Sequence, residues 1–222
     1  MQINTSTECH AYIEAVHSYN IDFINRAIYL VGEEGVGVEE EEPGVTYLMA
    51  SRFVKNLQIL SQHNPDPITI HMKTCGGFVV EGMAIYDAIR ACPDRRTTLF
   101  IYPITAYRTF SGSRSSIIFQ AGDCRIMMPN SYFMFHEGTI EISDTVKGVK
   151  SALAFDNKFH EPRTIEPYVI RMKQKGRFKG EKPYKIRKWL KAQMDRKQEV
   201  YLTPEETVEL GLADKISDTF GF

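Results

Sequence analysis

The sequence predicts an α/β fold built around a mainly parallel sheet. Three observations support this: short apolar segments rich in β-branched residues, longer segments with apolar residues at helical spacing, and the alternation of the two along the chain. Strands that alternate with helices in this way form βαβ units, whose strands lie parallel. The chain has 222 residues, 43% of them apolar, which suffices for one sizeable core. We therefore expect a single domain over 1–222.

The predicted elements cover most of the chain after residue 25. The predicted strands are Arg26–Val31, Ile68–Met72, Thr97–Tyr102, Cys124–Met128 and Tyr132–Phe135. The predicted helices are Val45–Ser61, Val79–Ala91, Gly112–Ala121, Asp144–His160, Thr164–Lys175 and Lys185–Val200. Pro162 is expected to end the helix before it, and the segment 175–183, with two glycines and a proline, is expected to be an exposed loop. Thr203 and Pro204 are typical of a helix N-terminus, and Gly211 of its end.

Charge, cysteine spacing and hydropathy argue against several classes of function. The formal net charge of −1 gives no global reason to expect a nucleic-acid partner. The cysteines and histidines lack the spacings of a zinc or other metal site, and the thiols are typical of a reducing compartment. The cysteines are Cys9, Cys75, Cys92 and Cys124. No secretory signal and no apolar run of membrane-spanning length is visible, so a soluble cytoplasmic protein is expected.

The charges are unevenly distributed along the chain. Residues 147–198 hold 16 basic and 5 acidic side chains, whereas the remainder has a balance of −12. The stretch Arg171–Lys191 alone carries ten basic residues, and Glu33, Glu34 and Glu39–Glu42 form an acidic group. This pattern fits either solvated helix faces or complementary surfaces between copies of the chain.

Three segments have the residue types of a catalytic site. Gly76 and Gly77 lie between a predicted strand and a predicted helix, where backbone N–H groups can bind a phosphate or an oxyanion, although such pairs are also common in tight turns. Serines in 111–116 precede an apolar helix, which suits either a nucleophile or a Ser-rich N-cap. His136 directly follows an apolar strand, as either a base or a structural residue.

Together these segments resemble the proteolytic subunit of the Clp protease (ClpP) from about Arg26 to Ile216. The most specific segment is Gly82–Asp87, which reads GMAIYD as in that family. The other matching segments are Cys75–Val79, Ser111–Ser115, Met128–His136 and Leu202–Asp214.

The resemblance implies a Ser113–His136–Asp195 triad, with Asp195 located by counting back from Leu202. It also implies an oxyanion hole formed by the N–H groups of Gly77 and Arg114. Substrate binding is implied at Gly76, Phe78 and Val79, and no cofactor is needed. The sequence departs from the family pattern at Cys75, Arg114–Ser116, Glu137 and Gly138 and through an insertion at 175–183. These departures indicate a divergent member, such as a phage-encoded or organellar copy.

The implied architecture is a ClpP/crotonase-like spiral of βαβ units with a protruding helical handle. An N-terminal segment would cover 1–25, a head 26–143 and 191–222, and the handle 144–190. The resemblance also implies a homo-oligomeric ring, of seven subunits or two stacked rings, that degrades unfolded polypeptides with an ATP-driven AAA+ unfoldase. Three alternatives remain open: a catalytically impaired ring subunit, a phage head-maturation protease of the same fold, and a crotonase-type acyl-CoA enzyme.

Overall fold

The centre of the fold is a row of parallel strands, as the alternating sequence pattern predicts. The structure is a computed structural model that describes residues 5–31, 44–74, 76–92, 97–101, 114–138 and 140–219. Its strands are β1 (Ile21–Asp22), β2 (Ala27–Val31), β3 (Ile68–Lys73), β4 (Thr97–Ile101), β5 (Cys124–Met127), β6 (Phe133–His136), β7 (Glu199–Leu202) and β8 (Lys215–Ile216). The main sheet has the order β1-β2-β3-β4-β5-β8, and all neighbours from β2 to β8 pair in parallel. β6 and β7 form a separate antiparallel pair.

The helices connect these strands in the order that the sequence predicts. They are α1 (Ser6–Tyr19), α2 (Tyr47–His63), α3 (Val79–Ala91), α4 (Arg114–Phe119), α5 (Val146–Gln174), α6 (Pro183–Lys197) and α7 (Pro204–Glu209). α2, α3 and α4 link successive parallel strands, with α2 packed against α3 and α3 against α4. Their apolar faces join the strands in one core, which includes Phe53, Leu60, Ile85, Leu99 and Phe119.

The prediction that Pro162 ends a helix is wrong. α5 continues without a break from Val146 to Gln174 and contains both Pro162 and Pro167. A proline inside a helix removes one backbone donor and costs about 3 kcal/mol, so other contacts must offset it. The helix beyond the prolines buries Tyr168, Val169 and Met172 in the core, and these tertiary contacts override the local signal.

The predicted C-terminal boundary of the next helix is also wrong. α6 ends at Lys197 rather than Val200, and its C-cap residue Gln198 has a positive φ of 60°. The following residues form β7, because the alternating sequence of 199–202 pairs with β6 and buries Val200 and Leu202.

The loop between α5 and α6 packs closely against the C-terminal part of the chain. Gly211 has φ of 78° and lies against the Lys175 carbonyl, where a Cβ atom would collide with backbone. The predicted loop at 175–183 is confirmed only in part, because a one-turn 3₁₀-helix covers Gly176–Phe178 and Pro183 already belongs to α6. The first residues of the loop are held by the turn that follows α7. α7 begins at Pro204 with Thr203 as its N-cap, as predicted, and the Thr203 side chain accepts a hydrogen bond from Glu206 N–H. The acidic group Glu33, Glu34 and Glu39–Glu42 lies outside the described residues.

Candidate active site

The glycine turn lies between β3 and α3, as the sequence predicts. Val45 N–H donates to the Gly76 carbonyl, and Phe78 N–H donates to the Val45 carbonyl at 3.0 Å. Val45 and Gly77 thus form a parallel bridge whose two hydrogen bonds are made by Gly76 and Phe78, the neighbours of Gly77. The N–H and C=O groups of Gly77 itself therefore point away from Val45. Only glycine fits at position 77, because a Cβ atom there would collide with the Val45 backbone. Phe78 and Val79 follow at the start of α3, with Phe78 68% exposed.

The serine-rich segment leads into α4, which begins at Arg114. Ser111 and Ser113 lie outside the described residues, so the structure describes only the last two serines of the cluster. Ser115 is partly exposed. Ser116 is buried, and its hydroxyl makes a 2.7 Å hydrogen bond with the Tyr168 hydroxyl of α5.

His136 is the last residue of β6 and is half-buried. Its strand pairs with β7 in a register that puts His136 opposite Glu199. The preceding alternate residues, Phe133 and Phe135, are buried and contact the Tyr168 ring, with centroids 6.1 and 6.0 Å away. The packing of Phe135 against Tyr168 therefore fixes the end of β6 directly before His136.

Asp195 lies in the last turn of α6 and is exposed. Since only Gln198 separates α6 from β7, the pairing of β7 with β6 brings the C-terminal end of α6 to the strand that carries His136. Met194, the neighbour of Asp195, contacts the same cavity as His136.

Two cavities join the elements that carry the predicted site residues. The first is lined by residues of α4, β6, α5 and α6, including Ile117, His136, Glu161, Tyr168 and Met194. The second lies between the end of β3, the start of α4 and β6, and is lined by Thr74, Ser115 and Met134 among others. Thr74, which lies just before the glycine turn, and the start of α4 therefore line one space, while His136 lines the other.

Neither a metal cluster nor a membrane-spanning segment is found in the part of the chain that the structure describes. No group of three or more His, Cys, Asp or Glu side chains there could hold a metal ion. No described helix combines the length and the apolar character needed to cross a bilayer.

Comparison with known proteins identifies the family. The model of the Clp protease family matches residues 41–220. The chain is 31% identical over 186 residues to the ATP-dependent Clp protease proteolytic subunit 2 of Pseudomonas aeruginosa, covering 78% of this chain and 77% of that protein. It is 27% identical to the proteolytic subunit 3 of Streptomyces coelicolor, covering 78% and 71%. The chain belongs to the Clp protease family.

Family membership confirms the expected fold class and the expected ClpP-type serine endopeptidase activity. It favours a peptidase over the crotonase-type alternative. Clp protease proteolytic subunits generally form oligomeric rings that work with AAA+ unfoldases, and they are generally cofactor-independent.

Proposed function

We propose that the chain hydrolyses peptide bonds with a triad of Ser113, His136 and Asp195. The observation that supports this most is the convergence of α4, β6 and the end of α6 on one cavity. Ser113 is covalently adjacent to Arg114, the first residue of α4, and Asp195 is adjacent to Met194, which lines that cavity with His136.

The chemistry follows from the properties of the three side chains. Ser113 Oγ attacks the substrate carbonyl while His136 accepts the hydroxyl proton, and His136 later protonates the leaving amine. Asp195 selects the imidazole tautomer that accepts this proton and stabilises the imidazolium that forms. Water then attacks the acyl-enzyme while His136 accepts a proton from it. His136 finally returns that proton to Ser113 Oγ as the acid product leaves.

The oxyanion would be stabilised by the N–H groups of Gly77 and Arg114. The Gly77 N–H points away from Val45, and no described residue accepts a hydrogen bond from it. An extended substrate alongside Gly76, Phe78 and Val79 would add a strand to this edge, which provides backbone hydrogen bonds without selecting particular side chains. Such recognition suits unfolded polypeptides of varied sequence.

The proposed assembly is a homo-oligomeric ring, with seven subunits or two stacked rings, in the cytoplasm and working with an AAA+ unfoldase. The chain would form one domain, with 1–25 as an N-terminal segment, 26–143 and 191–222 as the head and 144–190 as the handle. No cofactor enters the proposed reaction. The long α5 helix supports the handle assignment, because it leaves Val146, Leu153 and Phe155 exposed to solvent.

Peptide hydrolysis and labelling by a fluorophosphonate probe test the proposal on one sample. Ser113→Ala should abolish both, whereas Ser111→Ala and Ser115→Ala, the matched controls, should retain labelling. Labelling that persists in Ser113→Ala and disappears in one of the controls would assign the nucleophile elsewhere. A wild-type protein that forms rings but neither labels nor hydrolyses peptides would favour the impaired subunit instead.

A further inference from the structure

Helix α4, which follows the proposed nucleophile, depends on other elements for its position. It has only six residues, far fewer than an isolated helix needs to be stable in water. Its placement must therefore come from tertiary contacts. Those contacts also fix Arg114, the first residue of α4, to which the proposed nucleophile Ser113 is covalently bonded.

The buried half of α5 supplies these contacts at two positions one turn apart. The Tyr168 hydroxyl bonds to the Ser116 hydroxyl at 2.7 Å, and Arg171 donates to the Gln120 carbonyl at 2.8 Å. Tyr168 and Arg171 are three residues apart and so project from the same side of α5. The first contact lies near the start of α4, and the second lies just beyond its end.

Tyr168 also contacts the strand that carries His136. Its ring meets Phe133 nearly edge-on, at an interplanar angle of 79°, and lies against Phe135, the residue before His136. Tyr168 is 5% exposed and Ser116 3%, so water does not compete effectively for their hydrogen bond. One side chain thus binds the helix of the proposed nucleophile through its hydroxyl and the strand of the proposed base through its ring.

We propose that Tyr168 is a positioning residue: its hydrogen bond to Ser116 holds α4, to which the proposed nucleophile Ser113 is bonded, in place against the strand that carries His136. This inference rests on the proposed triad. A serine and a histidine must be aligned for proton transfer, and a displacement of about 1 Å between reacting groups can reduce the rate by roughly a hundredfold. Removing the hydroxyl of Tyr168 leaves its ring packing in place but releases α4 from it.

The test compares Tyr168→Phe, Ser116→Ala and the double variant with the wild type, using kcat and KM for a short peptide and the rate of fluorophosphonate labelling. Each single variant should lower kcat and labelling by roughly tenfold, with KM within about twofold. The double variant should be no slower than the slower single variant, because both remove the same hydrogen bond. Tyr12→Phe is the matched control: it removes a 2.9 Å hydroxyl bond to Asp22 near the N-terminus and should leave kcat unchanged.

Three outcomes would overturn the inference. The first is a Tyr168→Phe protein with kcat and labelling within twofold of wild type, even if its melting temperature falls, since a purely structural role predicts that pattern. The second is a double variant whose loss is the product of the single losses. The third is a Ser116→Ala protein whose kcat and labelling rate equal those of the wild type. This variant tests the hydrogen bond on its own if Tyr168→Phe does not fold. If the wild type is active and any of these results is obtained, the inference about Tyr168 is wrong but the proposed triad is unaffected. If Ser113→Ala is active, both the triad and the inference are wrong.

Discussion

The two halves of α5 differ sharply although they belong to one helix. All its buried residues (Pro167, Tyr168, Val169 and Met172) lie in the C-terminal half, where they contact α4, β6 and the core. The N-terminal half buries none and leaves Val146 73% and Phe155 54% exposed. The C-terminal half is thus fixed by contacts within its own chain and helps to build the candidate site, while the N-terminal half leaves apolar surface exposed, which the proposed assembly would cover. Substitutions in the two regions should therefore affect different properties.

Of the substitutions that follow, Asp195→Asn should have the largest effect on activity. The amide cannot hold His136 in the tautomer that accepts the Ser113 proton, and the corresponding change in serine-protease triads lowers kcat by about 10⁴. The measurement is peptide hydrolysis at saturating substrate, alongside sedimentation to check that assembly is retained.

Asp144→Asn is the matched control, because Asp144 lies just before the exposed half of α5 and bonds to Thr145 N–H at 2.6 Å. It should keep near-wild-type kcat. A dead Asp144→Asn together with an active Asp195→Asn would show that the alignment across the 175–183 insertion is wrong and that the exposed half contributes to the site.

Asp214→Asn should cause the largest loss of folding stability. Asp214 receives hydrogen bonds from Arg125 Nε and Nη2, both at 3.0 Å, and from Lys175 Nζ just after α5. The Arg125 side chain is only 3% exposed, so removing its partner leaves a buried charge and should cost about 3–5 kcal/mol at pH 7. Urea unfolding measures this. Glu181→Gln, which removes the exposed pair with Lys185, should leave the unfolding midpoint unchanged.

The same carboxylate should make stability depend on pH in acid. Burial raises the pKa of Asp214, but the hydrogen bonds and charge of Arg125, and then Lys175, outweigh burial and leave the pKa lowered. Its contribution is therefore present above the unfolded pKa of about 4 and is lost as the pH falls through the folded value. The difference in unfolding free energy between wild type and Asp214→Asn should be constant from about pH 5 to 8 and shrink below about pH 4. A difference that is the same at pH 3 and pH 7 would contradict this.

Hydrophobic periodicity and turn residues in the sequence correctly predict those elements whose bounds depend on neighbouring residues alone. The bounds predicted for α3, Val79–Ala91, are those of the structure, and the glycine turn before it and His136 at a strand end also lie where the sequence indicates. The helix α1 was missed, although Thr5 and Glu8 form a capping box that the spacing T-x-x-E could have revealed. Pro162 misled because its local effect is overcome by the burial of Tyr168 and its neighbours.

The contact that organises the candidate site could not be predicted from local pattern. Ser116 and Tyr168 are 52 positions apart, and nothing in either segment specifies the other. Their pairing follows only from the packing of α4 against α5. The choice of Ser113 among the serines likewise rests on the family resemblance and stays a prediction.

A substitution in the exposed half of α5 should alter assembly rather than folding. Phe155 stacks on Phe159 with ring centroids 5.1 Å apart, and both rings are substantially exposed. Phe155→Asp should leave the urea midpoint nearly unchanged but lower the mass of the assembled particle in sedimentation. If instead the midpoint falls by as much as in Asp214→Asn, this half is as firmly fixed within the chain as the other, and the comparison fails.

The smallest expected effect concerns the basic stretch Arg171–Lys191, which begins in the last turn of α5 and extends into α6. Five of its ten basic side chains make hydrogen bonds or ion pairs within the chain: Arg171, Lys175, Lys185, Arg187 and Lys191. Lys173 and Lys179 are exposed, and no described carboxylate lies within ion-pair distance of them, so they remain candidates for contact with acidic surface on another subunit.

Such contacts should weaken as salt rises past about 0.15 M, where the Debye length is roughly 8 Å. Charge reversal at Lys173 and Lys179, with Lys175 left in place for Asp214, should reduce particle size in low salt and remove its salt dependence. A wild-type particle whose size ignores ionic strength, and survives the reversal, would mean that this stretch is a solvated surface.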